Sequence, residues 1–370
     1  MTLSEDARRM DERVARQLCG LYRRYGYSRY KMSKFEEYDL YARCKDFLVS
    51  EGVITFTDTN GRLMALKPDV TLSIVRNTRD GQSGVQKVYY NENVYRVSRG
   101  TNAYKEIAQV GLECIGELGM YEMCEAVMLA VRSLKCIREN VVLDLAHVGY
   151  LSALMEEMEV PDQAREEMMR AIGRKSLHEI VELCRRYDVS PGTQSALEVL
   201  SRGACGAEES LEALRRAARG RKMTAAVAEL AQIYRVLAEN GMGDCVNVDF
   251  SVAGNMKYYS GVVFQGFVEG VPDSVLSGGR YDKLMAKMGR KSAAVGFAVY
   301  LDMLERLDES HRAYDAEVCL LYGEDVSPSS VLRRADAIAA AGETVLAARS
   351  LPEGMRFGRV ERMEGGEARG

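Results

Sequence analysis

The sequence contains no tryptophan and only three histidines, and its nine cysteines include no Cys-x-x-Cys pair. Without paired cysteines, or histidines at zinc-ligand spacing, a zinc-binding module is excluded and no metal site is predicted. The cysteines are scattered among apolar residues, as is typical of small core side chains in a reducing cytosol. No apolar run approaches the roughly 20 residues that a membrane-spanning helix needs, and no signal peptide opens the sequence. These absences predict a cytoplasmic protein with no membrane partner.

The sequence also lacks an excess of positive charge. Its 50 Lys and Arg residues face 54 Asp and Glu residues, which gives a net charge of -4, and no dense basic block occurs. Proteins that bind tRNA or DNA usually present a basic stripe, so nucleic acid is not expected as the main partner. The content of 47% hydrophobic and 28% charged residues is that of an ordinary globular protein.

The 370 residues have room for two or three domains, and the residue pattern changes along the chain. Strand and helix signals mix over residues 1–150 and again over 244–310, and these blocks are predicted to form one α+β domain. Between them, residues 151–243 lose the strand signals and repeat Glu, Arg, Ala, Leu and Met with a helical period, which predicts a helical insertion. Residues 311–370 predict a short β-α-β segment and, from Gly354 onward, a disordered tail.

Local patterns also predict several single elements. A short helix is expected over Thr71–Asn77, after a proline turn. Strands are expected over Val246–Val252 and Tyr258–Val268, because β-branched and aromatic residues are enriched there. The apolar run Val295–Leu307 is predicted to be a terminal helix.

A β-hairpin is predicted where two apolar runs of strand length, Val85–Tyr90 and Ile107–Ile115, flank a turn-rich segment. Side chains in a strand alternate between faces, so Gln109, Gly111 and Glu113 are expected on one side of the returning strand. A glutamine and a glutamate on either side of a glycine can receive the amino end of a small polar ligand. A solvated strand face is the alternative interpretation of the same pattern.

Several motifs in and around this hairpin, taken together, resemble those of histidyl-tRNA synthetase. Leu66–Thr71 resembles the family's Leu-Arg-Pro-Glu-Gly-Thr, and the Tyr-Arg pair that ends at Arg96 resembles the Phe-Arg of motif 2. In that family the motif 2 arginine holds the ATP α-phosphate. Gln109 and Glu113 match the two polar residues that receive histidine.

Two later motifs extend the resemblance. Tyr258-Tyr259 and the stretch Gly278–Asp282 resemble the two histidine signatures of the family. The resemblance covers nearly the whole chain and implies a class II aminoacyl-tRNA synthetase-like fold, in which an antiparallel sheet is flanked by helices. It also implies a homodimer through the region Tyr30–Tyr41.

The sequence departs from the synthetase at the cations that handle ATP. The family has one arginine just before its Tyr-Tyr signature and another at the end of motif 3, and the aligned positions here hold Gly254 and Met303. Arg306 follows three residues later, but a shift of nearly one helical turn moves a guanidinium about 4–5 Å along the axis. Such cations are often worth ~10²–10⁵ in rate. The resemblance therefore implies that ATP activation is lost while the histidine residues are kept, and no catalytic residue is predicted.

That combination resembles the regulatory subunit of ATP phosphoribosyltransferase, a synthetase relative without aminoacylation activity. Asp69, where the synthetase has glutamate, the segment Asp144–Gly149 and the shortened C-terminal part also resemble this family. The resemblance implies a non-catalytic subunit of a hetero-oligomer. This subunit activates a short catalytic subunit and mediates feedback inhibition by histidine in the first step of histidine biosynthesis. No cofactor is implied.

The resemblance assigns roles to the residues of the histidine pocket. Asp69 is expected to receive the ammonium group, with support from Thr71. Gln109 and Glu113 are expected to bind the amino and imidazole ends of histidine, and the tyrosines are expected to enclose its imidazole ring. The expected histidine-binding residues are Asp69, Thr71, Gln109, Glu113, Tyr258, Tyr259 and Tyr281.

Some of these residues have a plainer interpretation. The tyrosines are alternatively core aromatics, and Asp69 is alternatively part of a Pro-Asp turn. Arg96 and Arg280 are candidates for an anion or nucleotide contact. Arg96 alternatively pairs with Glu92, and Arg280 is alternatively structural.

Two other functions remain open at this point. The first is a divergent but working histidyl-tRNA synthetase, which would have to hold ATP without the two missing arginines. The second is a synthetase-like, amino-acid-sensing protein with another partner or another amino acid.

Overall fold

The computed structural model describes residues 10–44, 47–48, 52–78, 84–98, 103–201, 206–253, 258–307 and 314–364. The chain divides into two compact units. One unit is Val14–Glu305, and the other combines Met1–Arg13 with Arg306–Gly370. The division of the chain into a synthetase-like domain, a helical insertion and a C-terminal segment stays a prediction.

In the described part of the chain the helices are α1 (Met10–Arg24), α2 (Tyr38–Arg43), α3 (Thr71–Asn77), α4 (Met120–Lys135), α5 (Val148–Glu156), α6 (Asp162–Gly173), α7 (Leu177–Arg186), α8 (Pro191–Ser201), α9 (Ala207–Ala217), α10 (Gly220–Glu239), α11 (Asp282–Lys287) and α12 (Pro328–Ala340). The strands are β1 (Ser28–Arg29), β2 (Phe35–Glu37), β3 (Thr55–Thr57), β4 (Leu63–Leu66), β5 (Gln86–Val97), β6 (Tyr104–Gly116), β7 (Val141–His147), β8 (Val246–Val248), β9 (Val262–Val268), β10 (Leu276–Arg280), β11 (Ala293–Tyr300), β12 (Ala316–Tyr322), β13 (Val345–Ala348) and β14 (Phe357–Met363). Short 3₁₀ helices cover Gly243–Cys245, Phe250–Ala253 and Leu301–Leu307.

The main sheet of the unit Val14–Glu305 has the strand order β1-β5-β6-β11-β10-β9-β7-β8 among the described residues. The outermost pairs, β1 with β5 and β7 with β8, are parallel, and every pair between them is antiparallel. The predicted hairpin forms the second and third strands of this order. Its strands β5 and β6 pair along their full length, from Gln86 opposite Ile115 to Val97 opposite Tyr104. The predicted fold class, an antiparallel sheet flanked by helices, is confirmed.

One face of this sheet is covered by helices α1 and α4. The ring of Tyr22 on α1 packs edge-on against Phe297 on β11, with the ring centroids 5.9 Å apart. The Tyr22 hydroxyl lies 2.9 Å from Ser133 Oγ on α4, and Leu134 on α4 lies directly over Gly266 on β9. Because this face is fully packed, a ligand has access only to the other face.

Strand β11 corrects the prediction of a helix over Val295–Leu307. Residues Ala293–Tyr300 form a strand, and only Leu301–Leu307 turns into a 3₁₀ helix. The strand is buried on both faces, so its sequence is a nearly continuous apolar run without alternation. A short run of this kind cannot be distinguished from a buried helix by periodicity alone.

Strands β8 and β9 are shorter than predicted. The chain between them forms the 3₁₀ helix Phe250–Ala253, and β9 begins only at Val262. Gly278 and Gly279 lie within strand β10. These differences bring turns, rather than straight strands, to the edge of the open face.

The unit that contains Arg306–Gly370 forms its own small parallel sheet, with β12 between β13 and β14. Strand β14, Phe357–Met363, corrects the prediction of a disordered tail from Gly354. Its glycine-rich and charged composition indicates disorder locally, but pairing with β12 satisfies its backbone groups. Arg359 on this strand forms ion pairs with Glu343 and Glu361. Residues 365–370 lie outside the described residues.

None of the helices described by the structure combines the length and the apolar character needed to cross a membrane.

Candidate functional site

A cavity of ≈ 410 Å³ lies on the open face of the main sheet, within the unit Val14–Glu305. The strand register shows which residues form the floor of the cavity. Tyr90, Gly111, Ala298, Ser277 and Gln265 are consecutive opposite partners across five strands and therefore share one face. Its volume falls in the range of small-molecule pockets.

Glu113 lies one step further along β6, on the same face. Its side chain is 1% exposed. The Thr71 hydroxyl donates a hydrogen bond to Oε1 at 2.7 Å, and the Tyr281 hydroxyl donates one to Oε2 at 2.6 Å. Burial raises the pKa of Glu113 to about 8, with a further increase from the nearby Asp69, although these two hydrogen bonds act in the opposite direction. In the unliganded protein this carboxyl group therefore keeps its proton to a higher pH than an ordinary glutamate does.

Asp69 reaches the cavity from the turn before α3. Its Oδ1 accepts the Leu72 backbone N–H at 2.9 Å, so the carboxylate caps the first turn of the helix. Burial raises the pKa of Asp69, whereas the Leu72 N–H and the charge of Arg96 act to lower it. The Thr71 hydroxyl donates to Glu113, while the Thr71 backbone N–H bonds to Asp69 and helps to lower its pKa.

Three tyrosines form the wall over Glu113. The rings of Tyr258 and Tyr259 meet edge-on with centroids 4.9 Å apart, and the centroids of Tyr258 and Tyr281 are 5.9 Å apart. Tyr258 and Tyr281 also belong to a hydrophobic core cluster around α3. The two interpretations of these tyrosines therefore coexist, because the same rings pack in the core and line the cavity.

Glycines keep the floor of the cavity open. A Cβ atom at Gly111 would lie 2.4 Å from the Tyr90 hydroxyl, and one at Gly296 would lie 1.7 Å from Glu113 Oε2. Real Cβ atoms do not approach other atoms so closely. Side chains at these two positions would displace Tyr90 and Glu113.

We expect Gly296→Ala to weaken ligand binding in the cavity by about tenfold or more and to destabilise the protein by about 1–3 kcal/mol, as overpacking does. The new methyl group would also lie 2.5 Å from the Leu112 carbonyl oxygen, so the backbone cannot relax to accept it. Isothermal titration and thermal melts measure the two effects. Gly173→Ala is the matched control, because a Cβ atom there has no neighbour within 4 Å. Unchanged ligand affinity in Gly296→Ala would contradict this account of the floor.

The two candidate arginines have different positions. Arg96 lines the cavity, and its Nε donates to the Pro68 carbonyl oxygen at 3.0 Å. It does not pair with Glu92, whose carboxylate accepts a short hydrogen bond from Lys67. Arg280 is not among the lining residues.

Arg280 forms an ion pair with Asp282 at the start of α11, and its charge acts on a second pair, between β7 and α10. Its Nε donates to Asp282 Oδ2 at 2.8 Å, and its charge helps to lower the pKa of Glu229 on α10, whose main cause is the hydrogen bond from His147. The His147 Nδ1 accepts the Gly149 N–H at 3.0 Å, so Nε2 carries the proton that faces Glu229 Oε2 at 3.1 Å. This geometry supports the structural interpretation of Arg280.

All seven residues predicted to bind histidine line the cavity, which also has polar residues that the sequence analysis missed. Four of the missed residues lie on strands whose faces cannot be assigned before the register is known, and Ser251 and Ser274 lie outside the strands. Gln265 alone carries a local signal, because apolar residues flank it at strand spacing. The missed polar residues are Tyr90, Ser251, Gln265, Ser274, Ser277 and Tyr300.

The sequence analysis expects Gly254 and Met303 at the positions of two synthetase arginines, and the structure describes only Met303. Met303 lies in the 3₁₀ helix after β11. Gly254 lies outside the described residues. Among the described residues that line the cavity, Arg96 is the only Lys or Arg.

Comparison with known proteins gives consistent matches. A family model described as histidyl-tRNA synthetase matches residues 2–304. An ATP phosphoribosyltransferase regulatory subunit of Desulfitobacterium hafniense (strain Y51) is 30% identical over 331 residues, which cover 88% of this chain and 84% of the relative. The crystal structure of an ATP phosphoribosyltransferase regulatory subunit/histidyl-tRNA synthetase from Bacillus halodurans C is 25% identical. It covers 95% of this chain and 93% of its own, with a TM-score of 0.78.

A third match, the ATP phosphoribosyl transferase (HisG:HisZ) complex from Thermotoga maritima, shows the fold alone. It is 20% identical, covers 78% of this chain and 96% of its own, and has a TM-score of 0.62. The sheet, its open-face cavity and these likenesses define a class II synthetase-like protein. The chain belongs to the histidyl-tRNA synthetase family and, within it, to the ATP phosphoribosyltransferase regulatory subunits.

Proposed function

We propose that this protein is a non-catalytic regulatory subunit that binds free histidine in the cavity and controls a short catalytic subunit of ATP phosphoribosyltransferase. Binding of the regulatory subunit activates the catalytic one, and histidine reverses the activation as feedback on the first step of histidine biosynthesis. Such a role places the protein in the cytoplasm. The observation that carries the proposal is the pairing of two buried carboxyl groups, Asp69 and Glu113, with one lining cation, Arg96.

Two carboxyl groups and one arginine are complementary to a zwitterionic amino acid whose side chain carries a further N–H group. Asp69 receives the ammonium group, and Arg96 lies where a ligand carboxylate finds a cation. Glu113, held by two hydroxyl groups, receives an imidazole N–H, and Gln109 supplies a neutral donor and acceptor on the same strand. The tyrosine rings enclose the imidazole and exclude water from these contacts.

The lack of catalysis follows from the cations that the sequence does not supply. Adenylation develops negative charge on the α-phosphate and the pyrophosphate, and catalysis there is mainly positioning and charge stabilisation. Of three arginines expected for this task, only Arg96 is kept, since the other positions hold Gly254 and Met303.

Control of the partner requires differential binding. Histidine shifts the assembly only if it binds one state of the hetero-oligomer more tightly than the other. The test is to mix the purified protein with the short catalytic subunit and to measure phosphoribosyltransferase activity with and without histidine. Activation on mixing and its loss on addition of histidine support the proposal. No change in activity in either step contradicts it.

A working histidyl-tRNA synthetase is the second candidate function, because the family model that matches residues 2–304 carries that description. Histidine-dependent pyrophosphate exchange at synthetase-like rates would favour it over a regulatory subunit. The net charge of -4 argues against tRNA as a main partner.

A homodimer through the region Tyr30–Tyr41 is part of the proposal. Strands β2, β4 and β3 form a small antiparallel sheet, and Phe35 and Phe56 stack edge-on across it with centroids 5.3 Å apart. Their side chains are 50% and 39% exposed. Met64 and Leu66 share that face, because they are the register partners of Phe56 and Phe35. An exposed apolar sheet face of this kind fits a second copy of the chain.

We expect Phe35→Glu to raise the dimer dissociation constant by at least about tenfold, because a charge replaces a central apolar contact. Sedimentation velocity over a concentration series measures the change. Leu332→Glu on α12 is the matched control, since Leu332 is also an exposed, large apolar residue but belongs to the other compact unit. A Phe35→Glu protein that dimerises like the unsubstituted protein would exclude this face as the interface.

A further inference from the structure

Helix α6 ends in a conformation that glycine normally supplies. Lys175 has a φ of 54°. Its N–H donates to the Ile172 carbonyl at 2.9 Å, and the Ser176 N–H donates to the Ala171 carbonyl at 2.9 Å. This is the Schellman pattern, in which an L-residue at the left-handed position costs about 1 kcal/mol relative to glycine. The Lys175 side chain extends from this position to a contact on another element.

That contact is an ion pair with Asp249. The Lys175 Nζ donates to Asp249 Oδ2, and Asp249 is only 9% exposed. The other carboxylate oxygen, Oδ1, accepts the Ser251 N–H at 2.9 Å, while the Asp249 N–H donates to the Leu145 carbonyl on β7 at 2.8 Å. Asp249 thus joins three elements: the end of α6, strand β7 and the 3₁₀ helix Phe250–Ala253.

The 3₁₀ helix that Asp249 holds is a wall of the cavity, because Ser251 and Val252 line it. Lys175 does not line the cavity, so any effect it has on a ligand passes through Asp249. A second carboxyl group is close by. Burial and the charge of Asp249 raise the pKa of Asp144, whereas Lys175 acts to lower it.

Asp144 itself continues the row of residues that forms the cavity floor. It lies opposite Gln265, which lines the cavity. Without Lys175, the charge of Asp249 would act on Asp144 without the opposing charge of Lys175. Repulsion between the two carboxyl groups would move the segment that starts at Asp249, and Ser251 and Val252 move with it.

We propose that Lys175 is a positioning residue, which acts through Asp249 to hold the Ser251–Val252 wall in the geometry that binds histidine. This proposal rests on the proposed function of the cavity. It assigns the helical segment α5–α10 a part in setting ligand affinity. By reciprocity, an occupied cavity stabilises the Lys175–Asp249 contact, so these helices respond to the ligand.

The test is calorimetric titration of the full-length protein with histidine. Lys175→Met, which keeps the length but removes the charge, is expected to weaken binding about tenfold, a typical size for such coupling. Lys175→Arg, which restores the charge, is expected to stay within about threefold of the unsubstituted protein. Lys222→Met is the matched control, because Lys222 also forms an ion pair on this helical segment, with Glu156, but both side chains are exposed. No change is expected there.

A double-mutant cycle separates positioning from a general loss of stability. Asp249→Asn keeps an oxygen for the Ser251 N–H but removes the ion pair, so it is expected to weaken binding as Lys175→Met does. The double variant is expected to bind no more weakly than either single variant, because both remove the same contact. Should Lys175→Met fail to fold, Asp249→Asn still tests the ion pair.

The outcomes distinguish this inference from the proposed function. An unsubstituted protein that binds no histidine overturns the proposed function, and the inference with it. Histidine binding that is tight in the unsubstituted protein and unchanged in folded Lys175→Met or Asp249→Asn overturns the inference alone. Strictly additive losses in the double variant also overturn it.

Discussion

Replacing Glu113 with glutamine is expected to weaken histidine binding by at least about 30-fold, the lower limit for losing one partner of a buried, charged hydrogen bond. Glutamine keeps the size of the side chain and can still meet the Thr71 and Tyr281 hydroxyls, which lie 2.7 and 2.6 Å from the carboxylate. It cannot become an anion for the imidazole N–H. Isothermal titration with free histidine measures the loss.

The loss is not expected to arise from unfolding. The folded pKa of Glu113 is raised to about 8 from an ordinary value of 4.5. A raised pKa means that the folded state binds the proton more tightly, so its contribution to stability is complete below the unfolded pKa and is lost as pH rises through the folded value. Glutamine does not ionise, so the variant does not lose this stability as the pH rises. Its melting temperature near pH 8 is therefore expected to be no lower than that of the unsubstituted protein.

The control for this substitution lies on the same strand. Glu106 on β6 is exposed and bonds to Asn93 and Tyr95, outside the cavity. Glu106→Gln is therefore expected to change histidine affinity by less than about twofold, as surface substitutions usually do. Equal losses in Glu106→Gln and Glu113→Gln would show that the cavity is not the binding site.

Histidine affinity is expected to rise with pH, by up to about tenfold per unit, until the pH passes the pKa of Glu113. This pKa is about 8 in the unliganded protein. A ligand N–H or ammonium group favours the ionised carboxylate, so binding below that pH must release a proton. Free histidine has a neutral imidazole above about pH 6.5, so the ligand itself does not titrate over most of this range.

Calorimetry in buffers with different ionisation enthalpies measures the released proton directly. Because burial also raises the pKa of Asp69, part of the pH dependence can come from that carboxyl group. Glu113→Gln separates the two contributions, since only the Asp69 part remains in it. If the affinity for histidine does not change with pH and binding releases no proton, then Glu113 does not ionise when the ligand binds.

The elements with clear local signals were predicted well. The alternation on β6 placed Gln109 and Glu113 on one face, and both line the cavity. Helix α3 begins and ends at the predicted residues, Thr71 and Asn77, because the Pro-Asp turn and the capping carboxylate are encoded within a few neighbouring residues.

The failure on β11 has a clear physical cause, which is burial on both faces. Strand β11 was predicted as a helix because Val295, Phe297 and Val299 face the helices while Gly296 and Ala298 face the cavity. No polar alternation marks such a strand. For Arg280 the sequence motif was correct but the direction of the side chain was not encoded in it.

The sequence by itself determined the class of protein, the short elements and the types of side chain in the pocket, since each depends on near neighbours or on whole motifs. Only the tertiary structure decided that Glu113 is bonded by Thr71 and Tyr281, residues distant in sequence on two other segments. Its raised pKa likewise follows from burial, which no local pattern specifies. Strand register and chain packing set those distances, and they decide which side chains meet in the cavity.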